Sequence, residues 1–232
     1  MKFPNFNEEK KLWRQGMQCV VGLDEAGRGP LAGPVVAGAV MVWQSARQRT
    51  KITIQIPNVN DSKKLSEKKR EELYEILTKH PLIIWGVGVV SEKIIDKINI
   101  LEATKMAMRK AVEDLKLIGV GHLDYRCPTP VVPTPVVPDF LLIDGNFRIN
   151  GKIAQKSIIK GDQKVFSIAA ASIIAKVTRD RFMQTIHRKY PKYGFNLHKG
   201  YPTALHLNNL EKFGLCKIHR KTFNYKGKLF TA

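Results

Sequence analysis

Apolar residues fall into short runs and helical stripes that alternate along the chain. Cys19-Val20-Val21-Gly22-Leu23 is a short apolar run that ends in Asp24-Glu25, and a second run, Val35 to Trp43, follows Pro34. Both are rich in β-branched residues, the pattern of buried strands. Ile52, Ile54 and Ile56 alternate with polar residues, as in a half-exposed strand or hairpin arm. Leu82 to Val90, Phe140 to Ile143 and Ser157 to Lys160 predict three further strands. Helical spacing starts at Ser66, a suitable N-cap, and runs to Lys79 with Leu73, Tyr74, Ile76 and Leu77 on its apolar face; Pro81 ends it. Ile100 to Ile118 places Leu101, Met108, Val112 and Leu115 on one side of a second helix. Val165 to Tyr190 is the longest helical segment, rich in Ala and Ile and expected to be deeply buried near its start, and Thr203 to Phe213 is a short amphipathic helix. Strands and helices interleave, which predicts one α/β domain over residues 1–232 with a mixed central sheet.

Two segments stand outside this alternation. Gly119 to Pro138 contains CPTPVVPTPVVP, and its prolines forbid helix and disfavour a central strand. A stiff, partly polyproline-like surface loop is expected there. Residues 214–232 read as a short basic tail.

Composition narrows the class of partner. An apolar fraction of 44 % is ordinary for a globular domain and rules out wholesale disorder. The charge is not ordinary: 39 Lys and Arg against 20 Asp and Glu give +19. A polyanion is the expected partner, nucleic acid before an anionic membrane surface. Residues 139–232 carry 18 basic and 5 acidic side chains, a net of +13, so the excess is concentrated there. The polar start MKFPNFNEEKKLWRQG lacks the apolar core of a signal peptide, and no apolar run is long enough to span a bilayer. Cys19, Cys127 and Cys216 form no CxxC pair and the six histidines fall at no metal spacing. A cytoplasmic protein with reduced thiols is expected.

The acids are the informative residues. Asp24-Glu25 ends a buried strand, where two carboxylates are costly unless solvated, paired or bound to metal. Adjacent strand side chains point to opposite faces, so one of the two faces any given site unless a twist or the following glycine turn brings Glu25 round. The bland alternative is an Asp that starts a turn with Glu25 in water. Gly27-Arg28-Gly29 is either a plain turn or a loop whose backbone N–H groups and arginine meet a phosphate. Asp144 is a third acid at a strand end, and Asp162 precedes the long helix, where the helix dipole alone would favour it. Four carboxylates at strand ends can also form a hard-oxygen cluster of the kind that Mg²⁺ and Mn²⁺ prefer. Asp180, four residues after Lys176, is expected to pair with a basic neighbour. The stripe Ser172, Lys176, Arg179 and Asp180 faces either a phosphate backbone or water.

Together these residues resemble the type 2 ribonuclease H family. The matching pieces are GLDEAGRGPLAGPVVAGAV (22–40), NDSKKLSEKKR (60–70), NILEATKMAM (99–108), LLIDG (141–145), KGDQKVFSIAAASIIAKVTRDR (160–181) and HKGYPT (198–203). They occur in the family's order and cover most of residues 20–220. The resemblance implies a ribonuclease H-like fold, a mixed five-stranded sheet flanked by helices. It implies hydrolysis of the RNA strand of RNA–DNA hybrids, and cutting on the 5′ side of single ribonucleotides embedded in duplex DNA to leave 3′-hydroxyl and 5′-phosphate ends. The family's acidic quartet falls on Asp24, Glu25, Asp144 and Asp162, holding two divalent ions, Mg²⁺ or Mn²⁺. One ion activates the attacking water and the other stabilises the leaving oxygen. Gly27, Arg28 and Gly29 correspond to the loop that senses the ribose 2′-hydroxyl, and Tyr201 to the tyrosine that stacks on the following deoxyribose. Lys63, Ser172 and Lys176 fall where phosphate contacts are made. A monomer is expected. Many bacterial members carry a C-terminal helical extension, which this sequence is expected to lack. Type 3 relatives are expected to carry an N-terminal substrate-binding domain, for which residues 1–18 are too short. A non-catalytic hybrid-binding protein is a further alternative, against which the four retained acids argue, because unmetallated carboxylates repel.

Overall fold

The apolar run that begins at Cys19 becomes strand β1 (Val20–Ala26), the middle of a five-stranded sheet. β2 (Val35–Val42) and β3 (Ile83–Val90) lie on one side of it, and β4 (Phe140–Asp144) and β5 (Ala154–Ile158) on the other, in the order β3-β2-β1-β4-β5. β1 pairs antiparallel with β2, which pairs antiparallel with β3; β1 pairs parallel with β4, and β4 with β5. This computed structural model describes residues 3–43, 56, 59–117, 136–225 and 228–229. Most of the 119–138 loop and Ile52 and Ile54 fall outside the described residues; Val136 is buried in the core.

Helices cover both faces. α3 (Glu92–Leu117) lies on one, where Ala103, Ala107, Met108, Ala111 and Leu115 pack on Val21, Leu23, Val35, Ala37 and Met41. On the other face, α4 (Phe166–Lys189) and α2 (Glu67–Lys79) enclose Val40 and Val42 with Ala169, Ile173, Leu73 and Leu77. α3 begins earlier than the periodicity predicts. It breaks at Asn99, whose φ is +66° and whose Oδ1 accepts from the N–H groups of Leu101 and Glu102. The side chain thus caps the second half, the part the apolar stripe marks. Leu101, expected on the apolar side, is 36 % exposed because it stands in that first turn.

The polar, charged N-terminal stretch, where no helix is predicted above, forms α1 (Asn7–Arg14), which buries Leu12 and Trp13 against Val20, Leu142 and Ile168. Its Glu9 is buried and accepts from both the N–H (2.9 Å) and the hydroxyl (2.8 Å) of Ser167 in the first turn of α4. A carboxylate from one helix therefore caps another. Burial pushes Glu9 up to about 7.

The C-terminal segment corrects the expectation of a basic tail. After α5 (Phe195–His198) and α6 (Ala204–Phe213), Ile218, His219 and Arg220 are buried; Ile218 packs with Leu31, Met183, Tyr193 and Phe195, and His219 lies against the Tyr193 and Phe195 rings. A short hairpin follows, β6 (Asn224–Tyr225) with β7 (Lys228–Leu229). His206 and His219 meet Nε2 to Nε2 at 3.1 Å, and burial lowers both to about 4, so the pair stays neutral. Among the described residues, no helix is long and apolar enough to cross a membrane.

Candidate active site

Strand register brings the acids together. The β1–β4 ladder runs to Leu23 opposite Ile143, so the next residues at the two parallel carboxyl ends are Asp24 and Asp144. Val21 and Leu23 face α3, and Gly22 faces the backbone of α4 at Ser167. Alternation then sends Asp24 to the α4 side and Glu25 to the α3 side. Asp162 arrives on a short 3-10 turn, Gly161–Gln163, that leads into α4. Carboxylate oxygens of Asp24, Asp144 and Asp162 lie within 4.8 Å of one another. Glu25 stands beside this triad, close enough for Asp144 to raise its carboxyl, and ion-pairs with Arg28 at 3.5 Å.

The electrostatics are those of acids crowded together, Asp24 and Asp162 buried and Glu25 and Asp144 half-buried. Burial first, then Glu25 and Asp144, push Asp24 well above the usual carboxylate range. Asp162 is pushed up to about 6 by burial, Asp144 and Asp61. Burial pulls the Lys63 ammonium down, but Asp24, Asp61, Asp162 and Asp144 outweigh it and raise it. Glu25 Oε2 is buried with no hydrogen-bond partner among the described residues. Clustered oxygen donors, raised carboxyls and an unpaired buried oxygen fit hard divalent cations.

The other expected residues sort into two groups. Gly27, Arg28, Gly29, Lys63, Lys176 and Tyr201 line one cleft of about 520 Å³ with Glu25. A Cβ at Gly29 would lie 3.8 Å from the Tyr201 ring, so the loop and the tyrosine are neighbours. Tyr201 is 38 % exposed, with Lys176 Nζ 6.0 Å and Arg179 Cζ 5.9 Å from its ring centre. The second group faces inward. Ser172 is buried and donates to Ser62 Oγ at 2.8 Å. Arg179 is wholly buried, so of Ser172, Lys176 and Arg179 it is Lys176 that reaches the cleft. Lys176 is held by both oxygens of Asp180 at 2.7 Å, the pairing expected for Asp180.

Three neighbours escaped the sequence reading. Asp61 is buried beside Asp162 and accepts from the Lys63 N–H at 2.9 Å; it stands inside the motif NDSKK and was open to recognition there. Phe147 lies under Arg28, with Cζ 5.9 Å from the ring centre. Arg220 hydrogen-bonds the glycine loop from 192 residues away, and no local pattern marks it.

Comparison with known proteins agrees with this geometry. The family model described as Ribonuclease HII matches residues 21–226. The chain is 46 % identical to Ribonuclease HII of Syntrophus aciditrophicus over 94 % of this chain and 90 % of that protein. It is 49 % identical to Ribonuclease HII of Chlamydia caviae over 93 % and 88 %. Among solved structures, the ribonuclease HII of Archaeoglobus fulgidus, determined in complex with PCNA, is similar with a TM-score of 0.64 and 25 % identity, over 90 % of this chain and 97 % of that one. The chain belongs to the ribonuclease HII family, hydrolases that act on the RNA of RNA–DNA hybrids, and its mixed five-stranded sheet flanked by helices is the ribonuclease H-like fold.

Proposed function

We propose that this enzyme cuts on the 5′ side of ribonucleotides, including a single one embedded in duplex DNA, and leaves 3′-hydroxyl and 5′-phosphate ends. The observation that carries the reading is the convergence of Asp24, Asp144 and Asp162 within 4.8 Å beside a cleft that holds both Gly27-Arg28-Gly29 and Tyr201. Asp24, Asp144 and Asp162, with Glu25 alongside, would hold two divalent cations, Mg²⁺ or Mn²⁺, which would supply activation of the attacking water and stabilisation of the leaving 3′ oxygen.

The chain's own groups do the recognition. Backbone N–H groups of the glycine loop meet the 2′-hydroxyl, the group that separates RNA from DNA. A site built to hydrogen-bond that hydroxyl rejects substrates that lack it, because its polar groups would be left unpaired. Tyr201 presents its exposed ring to the deoxyribose of the next nucleotide. Lys63 and Arg28 stand at the acidic centre and steer a phosphate toward it. The +19 charge collects the duplex, as a monomer in the cytoplasm, during ribonucleotide repair and primer removal.

The test is cleavage of a duplex with one embedded ribonucleotide and of a continuous hybrid, side by side, in Mg²⁺ and in Mn²⁺. Incision 5′ of the single ribonucleotide is expected, with no cutting of the all-DNA duplex. Cleavage confined to the continuous hybrid would overturn the reading.

A further inference from the structure

Arg220 is 2 % exposed, and its guanidinium makes three hydrogen bonds, all to backbone carbonyls. Nη2 donates to Gly27 O (2.6 Å), Nη1 to Arg28 O (3.0 Å) and Nε to Gly33 O (2.9 Å). Its own backbone is fixed alongside the same loop: Arg220 N–H donates to Leu31 O at 2.8 Å, Gly33 N–H to Ile218 O at 2.9 Å, and Ala32 bridges His219. A second buried guanidinium, Arg179, donates to Ala32 O, Pro34 O and Lys199 O at 3.0–3.1 Å. Two arginines thus hold six carbonyls around residues 27–34 and the turn before Tyr201. Burial pushes Arg220 down to about 9, so it stays charged at neutral pH.

Burying two guanidinium groups side by side is costly, and apolar residues of similar volume would pack the same space without that cost. What the arginines supply is direction. In a trans peptide the C=O of one residue and the N–H of the next point opposite ways. Drawing the Gly27 and Arg28 carbonyls inward therefore turns the N–H groups of Arg28 and Gly29 outward. Neither N–H has a hydrogen-bond partner among the described residues, and both residues line the cleft. The turn needs φ of +100° at Gly27, and a Cβ there would overlap the Arg179 side chain and the Pro34 carbonyl.

We propose that Arg220 is a positioning residue for ribose recognition: by holding the Gly27 and Arg28 carbonyls inward, it aims the N–H groups of Arg28 and Gly29 at the substrate's 2′-hydroxyl. This rests on the reading that the loop meets that hydroxyl. A residue at the far end of the chain then sets discrimination without touching substrate.

The experiment measures binding in Ca²⁺, without turnover, to a duplex with one ribonucleotide and to the same duplex in all-DNA form. Wild type, Arg220→Lys and Arg220→Gln are compared, each checked by circular dichroism and thermal melting. Lysine keeps the charge but lacks the planar fork that spans three carbonyls. Folded variants should lose at least about tenfold of the preference for the ribonucleotide duplex. Their binding to the all-DNA duplex should stay within about twofold of wild type, because phosphate contacts set it. A merely structural role would weaken both alike. A folded Arg220→Lys variant with undiminished preference overturns the positioning role while leaving the loop reading intact. No preference in wild type itself removes the loop reading, and the inference with it.

Discussion

The backbone N–H of Gly161 donates to Asp144 Oδ1 at 2.6 Å. This bond ties the end of β4 to the turn that carries Asp162, so two acids 18 positions apart are presented as one unit. Asp24 joins them from β1, and its own Oδ1 accepts from the Glu25 N–H at 2.7 Å. The cluster is held by the sheet and by backbone donors, and repulsion among its members is built in.

That repulsion gives the first prediction. Asp24 is raised by burial, Glu25 and Asp144 together, so without cations it works against the fold. Asp24→Asn should lower cleavage by at least about a thousandfold, since one cation ligand is lost. In chelator the same variant should melt higher than wild type, by roughly 2–4 °C if about 1 kcal/mol of repulsion is relieved. Added Mg²⁺ or Mn²⁺ should raise the wild-type melting temperature and barely move the variant. Lower melting of the variant in chelator, or full activity, contradicts the role given to Asp24.

Tyr201 gives the second. Its ring is 38 % exposed and flanked by Lys176 and Arg179, so it offers a face to substrate at little cost to the core. Tyr201→Ala should reduce cleavage of the single-ribonucleotide duplex about tenfold or more, the scale of one lost stacking contact. A continuous hybrid offers many registers and should suffer less. Comparing kcat/KM on the two substrates decides it: equal losses remove the junction role.

Much of this site is legible in the sequence, because strand ends and their acids are local features. The runs ending at Glu25 and Asp144 mark β1 and β4, and glycines after each acid mark the turns. Asp24 joins the triad, and Glu25, the next residue, stands beside it and lines the cleft. What was illegible is long-range. Arg179 and Arg220 look like members of a basic surface, and only tertiary packing turns them into buried donors for loop carbonyls. Glu9 reads as one more acid on a polar N-terminal stretch until Ser167 is brought beside it.

Glu9 gives a pH prediction with a definite sign. Its carboxyl is raised from 4.5 to about 7 in the folded protein. The folded state then holds a proton that the unfolded state has released, so stability is fully present below about 4.5 and falls as pH rises through about 7. The full effect is on the order of 3 kcal/mol. His206 and His219, lowered to about 4, act oppositely: their contribution is present above 6.5 and lost as pH falls toward 4. The two effects offset in the wild type between about 4.5 and 6.5. Urea unfolding of wild type and Glu9→Gln at pH 5 and pH 8 separates them: the variant should lose less stability, or gain more, on going to pH 8. Parallel pH dependences in the two proteins would show that Glu9 does not titrate there.

Gly38 gives a prediction about packing. It pairs with Asp24 on one side and Val87 on the other, and a Cβ there would strike the Ala171 carbonyl of α4. Gly38 is absent from the positive-φ glycines, so Gly38→Ala adds no backbone strain and tests contact alone. Overpacking of this kind costs roughly 1–3 kcal/mol. For a chain of this size that lowers the melting temperature by roughly 2–12 °C. The displaced helix also carries Ser172, whose hydroxyl reaches Ser62 beside Lys63. Cleavage should therefore fall together with stability, even below the melting transition. A Gly38→Ala variant that melts with wild type would mean that α4 can move off the sheet freely. Activity that survives in a destabilised variant would mean that the acidic cluster does not depend on that close approach.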